Sequence, residues 1–149
     1  PAYLPYNRGA HPNVWSIIDE TPAGVTLHTI DKGVDTGKIL AQKRIAVLPT
    51  DTGKSLYQRL EDAAYGLFIK TWSKLLKGKI IGKFQTKKGT FHLVADLHKT
   101  DEIDLDKRYQ GKTLINLLRA RTFPPYNGAY FKIRGKKIFL RLKLSVDGE

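Results

Sequence analysis

The sequence has no cysteine and no methionine. Without thiols there is neither a disulfide framework nor a thiolate metal site, and nothing points to an oxidising compartment, so a cytoplasmic location is the default expectation. There is no apolar run of ~18 residues or more, and the opening "PAYLPYNRGA" has no charged region followed by an apolar stretch, so neither a membrane span nor a signal peptide is expected. The phosphate-cradling patterns G-x-G-x-x-G and G-x-x-x-x-G-K-[ST] are both missing. Metal ligation has little to build on. The four histidines His11, His28, His92 and His98 are dispersed, with no zinc-type helical pair, and read as exposed or internally satisfied. The missing methionine leaves two expectations: an initiator removed ahead of Pro1, or a chain that begins inside a longer protein.

What the chain does have is positive charge. Its 26 lysines and arginines against 14 acidic residues give a net +12, which suits an anionic partner: nucleic acid, a phosphate-bearing small molecule or an acidic surface. Lysines spread through "SKLLKGKIIGKFQTKKG" also suit plain solvation of helix faces, and both readings stay open. At 149 residues and 41% hydrophobic content, one domain with a core is expected.

"PAYLPYNRGAHP" reads as a loop and "PNVWSIIDE" as a short helix with Pro12 in its first turn. "GVTLHTID" and "KILAQKRIAVL" suit two strands joined by a tight turn carrying Gly33 and Gly37. A long helix should follow Asp51 or Thr52 as N-cap, with Leu56, Leu60, Ala63, Leu67, Phe68, Trp72 and Leu76 on one side and Gly78 as its stop. "GTFHLV" reads as extended and "KTDEIDLD" as an acidic loop. "GKTLINLLRAR" reads as a helix, and "AYFKI" with "IFLRLKLSV" as a hairpin around "RGKK".

The tetrapeptide Asp-Thr-Gly-Lys occurs twice, at Asp35 and at Asp51. An aspartic-protease dyad needs two such aspartates side by side, and a copy that opens a long helix does not fit one. Asp51 reads as a helix start. Asp35 reads, on spacing alone, as an ordinary turn aspartate.

The order of the opening segments adds to this. "LPYNRGAHPNVWSI" followed by "AGVTLHTIDKGVDTGKILAQ" resembles the folate-dependent formyltransferase family in its Leu-Pro and Arg-Gly loop, helix, Gly-Val-Thr strand and Asp-x-Gly turn. "LRARTFPPYNGAYF" looks like the segment that follows the core in sugar-nucleotide N-formyltransferases. The resemblance implies an α/β fold: residues 1–90 as the C-terminal part of a Rossmann-like formyltransferase core and 91–149 as a small helix and β-hairpin subdomain. It also implies an Asn-x-His pair just ahead of Pro1, within on the order of 90 further residues of βα units.

By the same resemblance the formyl donor is N10-formyltetrahydrofolate, and the acceptor is a dTDP-4-amino-4,6-dideoxyhexose of the lipopolysaccharide O-antigen kind. Asp35 is the implied catalytic residue, with Thr36 and Gly37 holding it beside the folate. Arg119 and Arg121 are placed to clamp a pyrophosphate by forked hydrogen bonds. Tyr126 or Phe123 offers a plane for the thymine or sugar, and Arg8 and Asn7 contacts near the site. For the arginines and aromatics, a helix-end and core role is an equal alternative. A homodimer through the apolar hairpin is expected, with no metal, no membrane and no nucleic acid. The alternatives are methionyl-tRNA formyltransferase, which would put the positive charge to use, and an inactive remnant if the chain truly starts at Pro1.

Overall fold

Pro12 sets the first turn of the structure, because its fixed φ suits the N1 position of a helix and its missing N–H is not needed there. In the computed structural model, which describes residues 1–86 and 88–148, helix α1 spans Pro12–Ile18. It buries Val14, Trp15 and Ile17. The loop ahead of it carries the two-residue strand β1, Arg8–Gly9. Strands β2 (Ala23–His28) and β3 (Ile39–Ile45) form an antiparallel ribbon in which Val25 lies opposite Lys43. The turn 29–38 joins them, as the alternation of Val25 and Leu27 predicts.

Helix α2 runs Gly53–Leu76. Thr52 caps it: its Oγ1 accepts from the Ser55 amide at 3.2 Å while the Ser55 hydroxyl accepts from the Thr52 amide at 2.9 Å, so two otherwise orphan donors are satisfied. Leu56, Leu60, Ala63 and Leu67 bury one stripe against the ribbon and α1. The predicted stripe does not continue. Phe68, Trp72 and Leu76 are 38%, 46% and 68% exposed, and Tyr65 and Ile69 lie open beside them. Length explains this: 24 helical residues rise about 36 Å, whereas the seven residues of β3 reach only about 23 Å.

Beyond Gly78, whose φ of 63° ends the helix, the chain turns back as a strap. Lys83 and Ile39 exchange backbone hydrogen bonds of 2.9 and 2.8 Å. Strand β4 (Phe91–His92) then pairs in parallel with β1. The extended reading of "GTFHLV" holds for those two residues alone. Val94–Lys99 form a helix, α3, that the sequence reading missed. The Asp96 carboxylate accepts the Leu93 amide at 2.9 Å and starts it, a local side-chain-to-backbone bond that periodicity does not reveal. Helix α4 (Gly111–Ala120) packs on α1. The chain ends in a hairpin, β5 (Tyr130–Ile133) and β6 (Lys136–Phe139), turned at Arg134 and Gly135, both with positive φ as a primed turn requires. The expected strand beyond Phe139 is not assigned, although Leu140 and Leu142 donate to the Ala129 carbonyl and the Thr122 hydroxyl.

Candidate active site

The two Asp-Thr-Gly-Lys copies fold into opposite environments. Asp51 is 3% exposed. Its carboxylate accepts from the Leu48 amide at 2.7 Å, the Ser55 hydroxyl at 3.0 Å and the Arg59 guanidinium at 2.5 Å. The partners lie in the loop that leads into α2 and in its first turns, so this carboxylate organises a helix start.

Asp35 sits in the turn 29–38 with a left-handed φ of 55°, a conformation Asp tolerates better than most residues. Its side chain stays one-third exposed. Oδ2 accepts the Gly9 amide at 2.9 Å, and Oδ1 faces Nε2 of His28 at 3.6 Å. A cleft of about 270 Å³ opens here, lined by Gly9, Thr26, His28 and Asp35 among others. The Nδ1 of His28 lies 2.9 Å from the Thr29 carbonyl, an acceptor for an N–H at Nδ1, and Nε2 is left on the side of the carboxylate. A carboxylate held at one oxygen, with an imidazole beside the other, can accept, orient or pass on a proton at the cleft wall.

Gly37 is fixed by closeness. A Cβ there would stand 1.6 Å from the Thr29 carbonyl oxygen, so only glycine lets the base of this turn close. The Thr36 hydroxyl donates to Asp31 at 2.5 Å, and this bond is the main cause that holds the Asp31 carboxyl below its ordinary value. Thr36 thus braces the turn from within.

Of the remaining expected residues, Arg8 gives its guanidinium to the side-chain oxygen of Gln85. Arg119 and Arg121 do not form a common clamp. Arg119 is 8% exposed and donates inward to the Leu48 and Asp51 carbonyls, each at 3.0 Å, and to Asn116. Burial pushes its guanidinium below the ordinary value. Arg121 turns the other way, into a forked pair with Asp101, and lines a cleft of about 580 Å³ with His11, Tyr57, His98, Phe123 and Tyr126. Phe123 meets Tyr126 at 5.9 Å and Tyr57 edge-on at 5.6 Å. Burial, then the charges of Arg121 and His98, lower the pKa of His11. A further cleft, about 710 Å³, lies near Glu20, Arg44 and Arg119, and Asp35 does not line it.

Sequence reasoning missed His28, and it took Asn7, with Arg8, only as a contact near the site. His28 had a usable signal, since it falls two residues after Thr26 on one strand and so shares its face. Asn7 is 1% exposed. Its amide donates to Ser16 and Thr21, its Oδ1 accepts from Thr90, and it thereby knots the opening loop to α1 and the strap. Nothing in a Pro- and Gly-rich loop marks such a residue. Among the described residues no group of three His, Asp or Glu side chains stands ready for a metal, and no helix is long and apolar enough to cross a membrane.

Comparison with known proteins adds the family. Residues 1–72 match "Formyl transferase" and residues 96–146 match "N-formyltransferase dimerization C-terminal domain". The dTDP-4-amino-4,6-dideoxyglucose formyltransferase of Mycobacterium tuberculosis is 35% identical over 148 residues, covering 99% of this chain and 63% of that protein. The chain therefore spans less than two thirds of this relative. A 4-N formyltransferase structure from Francisella tularensis superimposes with a TM-score of 0.94 at 34% identity, over 98% of this chain and 61% of that one. The N-formyltransferase of Helicobacter canadensis, solved with folinic acid and dTDP-3-aminofucose, gives 0.78 at 26% identity, over 91% and 49%. With Asp35 in its turn after the Gly-Val-Thr strand and the hairpin unit behind it, the chain belongs to the formyltransferase family.

Proposed function

We propose that the protein moves a formyl group from N10-formyltetrahydrofolate to the 4-amino group of a dTDP-linked 4-amino-4,6-dideoxyhexose. The observation that carries this reading is the Asp35 carboxylate, pinned by the Gly9 amide and presented beside His28 on an open cleft. The relatives named above support the donor and acceptor classes. The polar wall of Thr26, His28 and Asp35 suits the donor and acceptor edges of a pterin, and the donor brings an activated formyl carbon. In the transfer, the sugar amine bonds to that carbon, the carbon's bond to N10 breaks, the amine gives up a proton, and the leaving N10 takes one up. Asp35 and His28 stand where that proton is oriented and received.

The cleft of about 580 Å³ is the reading for the nucleotide sugar. Arg121, braced by Asp101, faces the pyrophosphate, and Phe123 and Tyr126 offer planes for thymine or sugar. Arg119 serves packing rather than substrate. The half-exposed Ile133, Ile138 and Phe139 of the hairpin lie within the stretch matching a dimerization domain, which supports a homodimer. A formamido sugar of this class fits assembly of lipopolysaccharide O-antigen in the cytoplasm. The test is direct: protein expressed from its whole reading frame is incubated with N10-formyltetrahydrofolate and a dTDP-4-amino-4,6-dideoxyhexose, and the sugar nucleotide is weighed by mass spectrometry. Gain of one formyl group is expected, and an unchanged sugar nucleotide rejects the reading.

A further inference from the structure

Asp35 lies on a turn with little support of its own. Ile30 and Val34 are 96% and 56% exposed, and the bonds of Asp31 to Gly33 and Thr36 stay inside the turn. Among the described residues, the hydrogen bonds that tie this turn to the chain beyond its own two strands come from Gly9 and from Gln85. Gln85 belongs to the strap, between the two stretches that match family descriptions.

The bonding of Gln85 is complete. Its Nε2 donates to the Asp35 carbonyl at 2.9 Å and to the Gly37 carbonyl at 2.8 Å. Its Oε1 accepts from Arg8 Nε at 3.2 Å and Arg8 Nη2 at 2.6 Å. Two donors and two lone pairs are all that a primary amide has. Turning the amide over would set its NH₂ against a guanidinium and its oxygen against two carbonyls, so the partners fix its orientation. Arg8 is also held through its backbone, which donates to the Thr90 carbonyl at 2.9 Å. The next residue, Gly9, donates to Asp35 Oδ2. The contacts close a ring: carboxylate to Gly9, Arg8 to Gln85, and Gln85 to the backbone of Asp35.

We propose that Gln85 is a positioning residue for Asp35, locking the turn that carries the carboxylate to the loop that pins it. This rests on the formyl-transfer reading for its catalytic meaning and on the ring alone for its structural meaning. Only a side chain with a neutral donor and acceptor on one carbon meets both partners. Glutamate would keep Arg8 and repel the two carbonyls, and leucine would lose both sides.

The test uses Gln85→Glu and Gln85→Leu, read in two ways. In ¹⁵N-labelled chain, the Gly9 amide resonance should move in both variants and exchange with solvent about tenfold faster. In the protein from its whole reading frame, kcat should fall about 10- to 100-fold while KM for the sugar nucleotide stays within about twofold, since misplacement of the carboxylate affects the chemical step. A Gly9 amide with unchanged shift and exchange in both variants overturns the proposal whatever the turnover. So does a moved Gly9 with unchanged kcat. If the unsubstituted protein transfers no formyl group, the functional reading fails by itself, and the Gly9 amide alone decides whether Gln85 holds the turn.

Discussion

Replacing Asp35 and Asp51 by asparagine tests the proposed formyl-transfer role of the first carboxylate against the structural role of the second. At Asp51 the side chain is nearly sealed and accepts three hydrogen bonds, one from the Leu48 amide, one from Ser55 and one from Arg59. Asparagine supplies one acceptor oxygen, which would serve Leu48 and Arg59, and the NH₂ must then face the Ser55 hydroxyl that now donates to the carboxylate. The charge-assisted share of the Arg59 bond is lost, discounted because the Arg59 side chain is 36% exposed. The sum is about 2 kcal/mol, or about 4–8 °C in Tm for a chain of this size. At Asp35 the outcome inverts. Asparagine tolerates the left-handed backbone as well as aspartate does, and its oxygen can still accept the Gly9 amide. Stability should change by less than about 0.5 kcal/mol, while formyl transfer falls about 100-fold or more with the loss of a proton-handling group. Thermal melts followed by circular dichroism and a single-temperature formylation assay, run where both variants are folded, give the two readings. Equal losses of Tm, or a loss of turnover in Asp51→Asn matching that in Asp35→Asn, would refute the assignment.

Glycine offers a second contrast. Gly37→Ala places a methyl on the Thr29 carbonyl and should cost about 2 kcal/mol or more, whereas Gly66→Ala, in the exposed interior of α2 with nothing within 4 Å, should gain up to about 1 kcal/mol; urea titration of both checks the sign. His11 is held below its ordinary value of 6.5 by burial, so its contribution is present above pH ~6.5 and is lost as pH falls through the folded value. The fall in Tm from pH 7 to 5 should therefore be smaller in His11→Asn, which keeps the left-handed φ of 53° acceptable. Asp19 is raised by burial and acts with the opposite sign. Ile138→Lys on the hairpin should convert a dimer to a monomer in light scattering after size exclusion, and an unchanged mass would place the interface elsewhere.

Much of the fold was legible because it is written in local rules. Pro12, the Thr52 and Ser55 pair, Gly78, and Arg134 with Gly135 each mark an element boundary by chemistry confined to a few residues. The turn that carries Asp35 was legible from the order of its motifs. What escaped depends on distant partners. The exposed end of α2 follows from a ribbon too short to cover it. The inward turn of Arg119 follows from carbonyls about seventy residues away, and its adjacency to Arg121 in sequence wrongly suggested one clamp. Asn7 and Gln85 are polar residues in polar loops, and only the closed fold distinguishes them from solvated neighbours.

Arg119 also governs the order in which the molecule can be completed. It reaches from the end of α4 to the carbonyls of Leu48 and Asp51. Beside it, the buried Ala120 carbonyl fills the space that Gly53 leaves by lacking a Cβ, and Asn13 of α1 donates to the Gly53 carbonyl. Part of the floor under the start of α2, Arg119 and Ala120, is thus made late in synthesis. A ribosome that has released only the stretch matching the formyl transferase family has released a unit with one wall open, and long-range closure of this kind is slow. Truncation between the two family-matched stretches should give an insoluble product: the boundary is one of kinship between sequences and does not divide the chain into parts that fold alone.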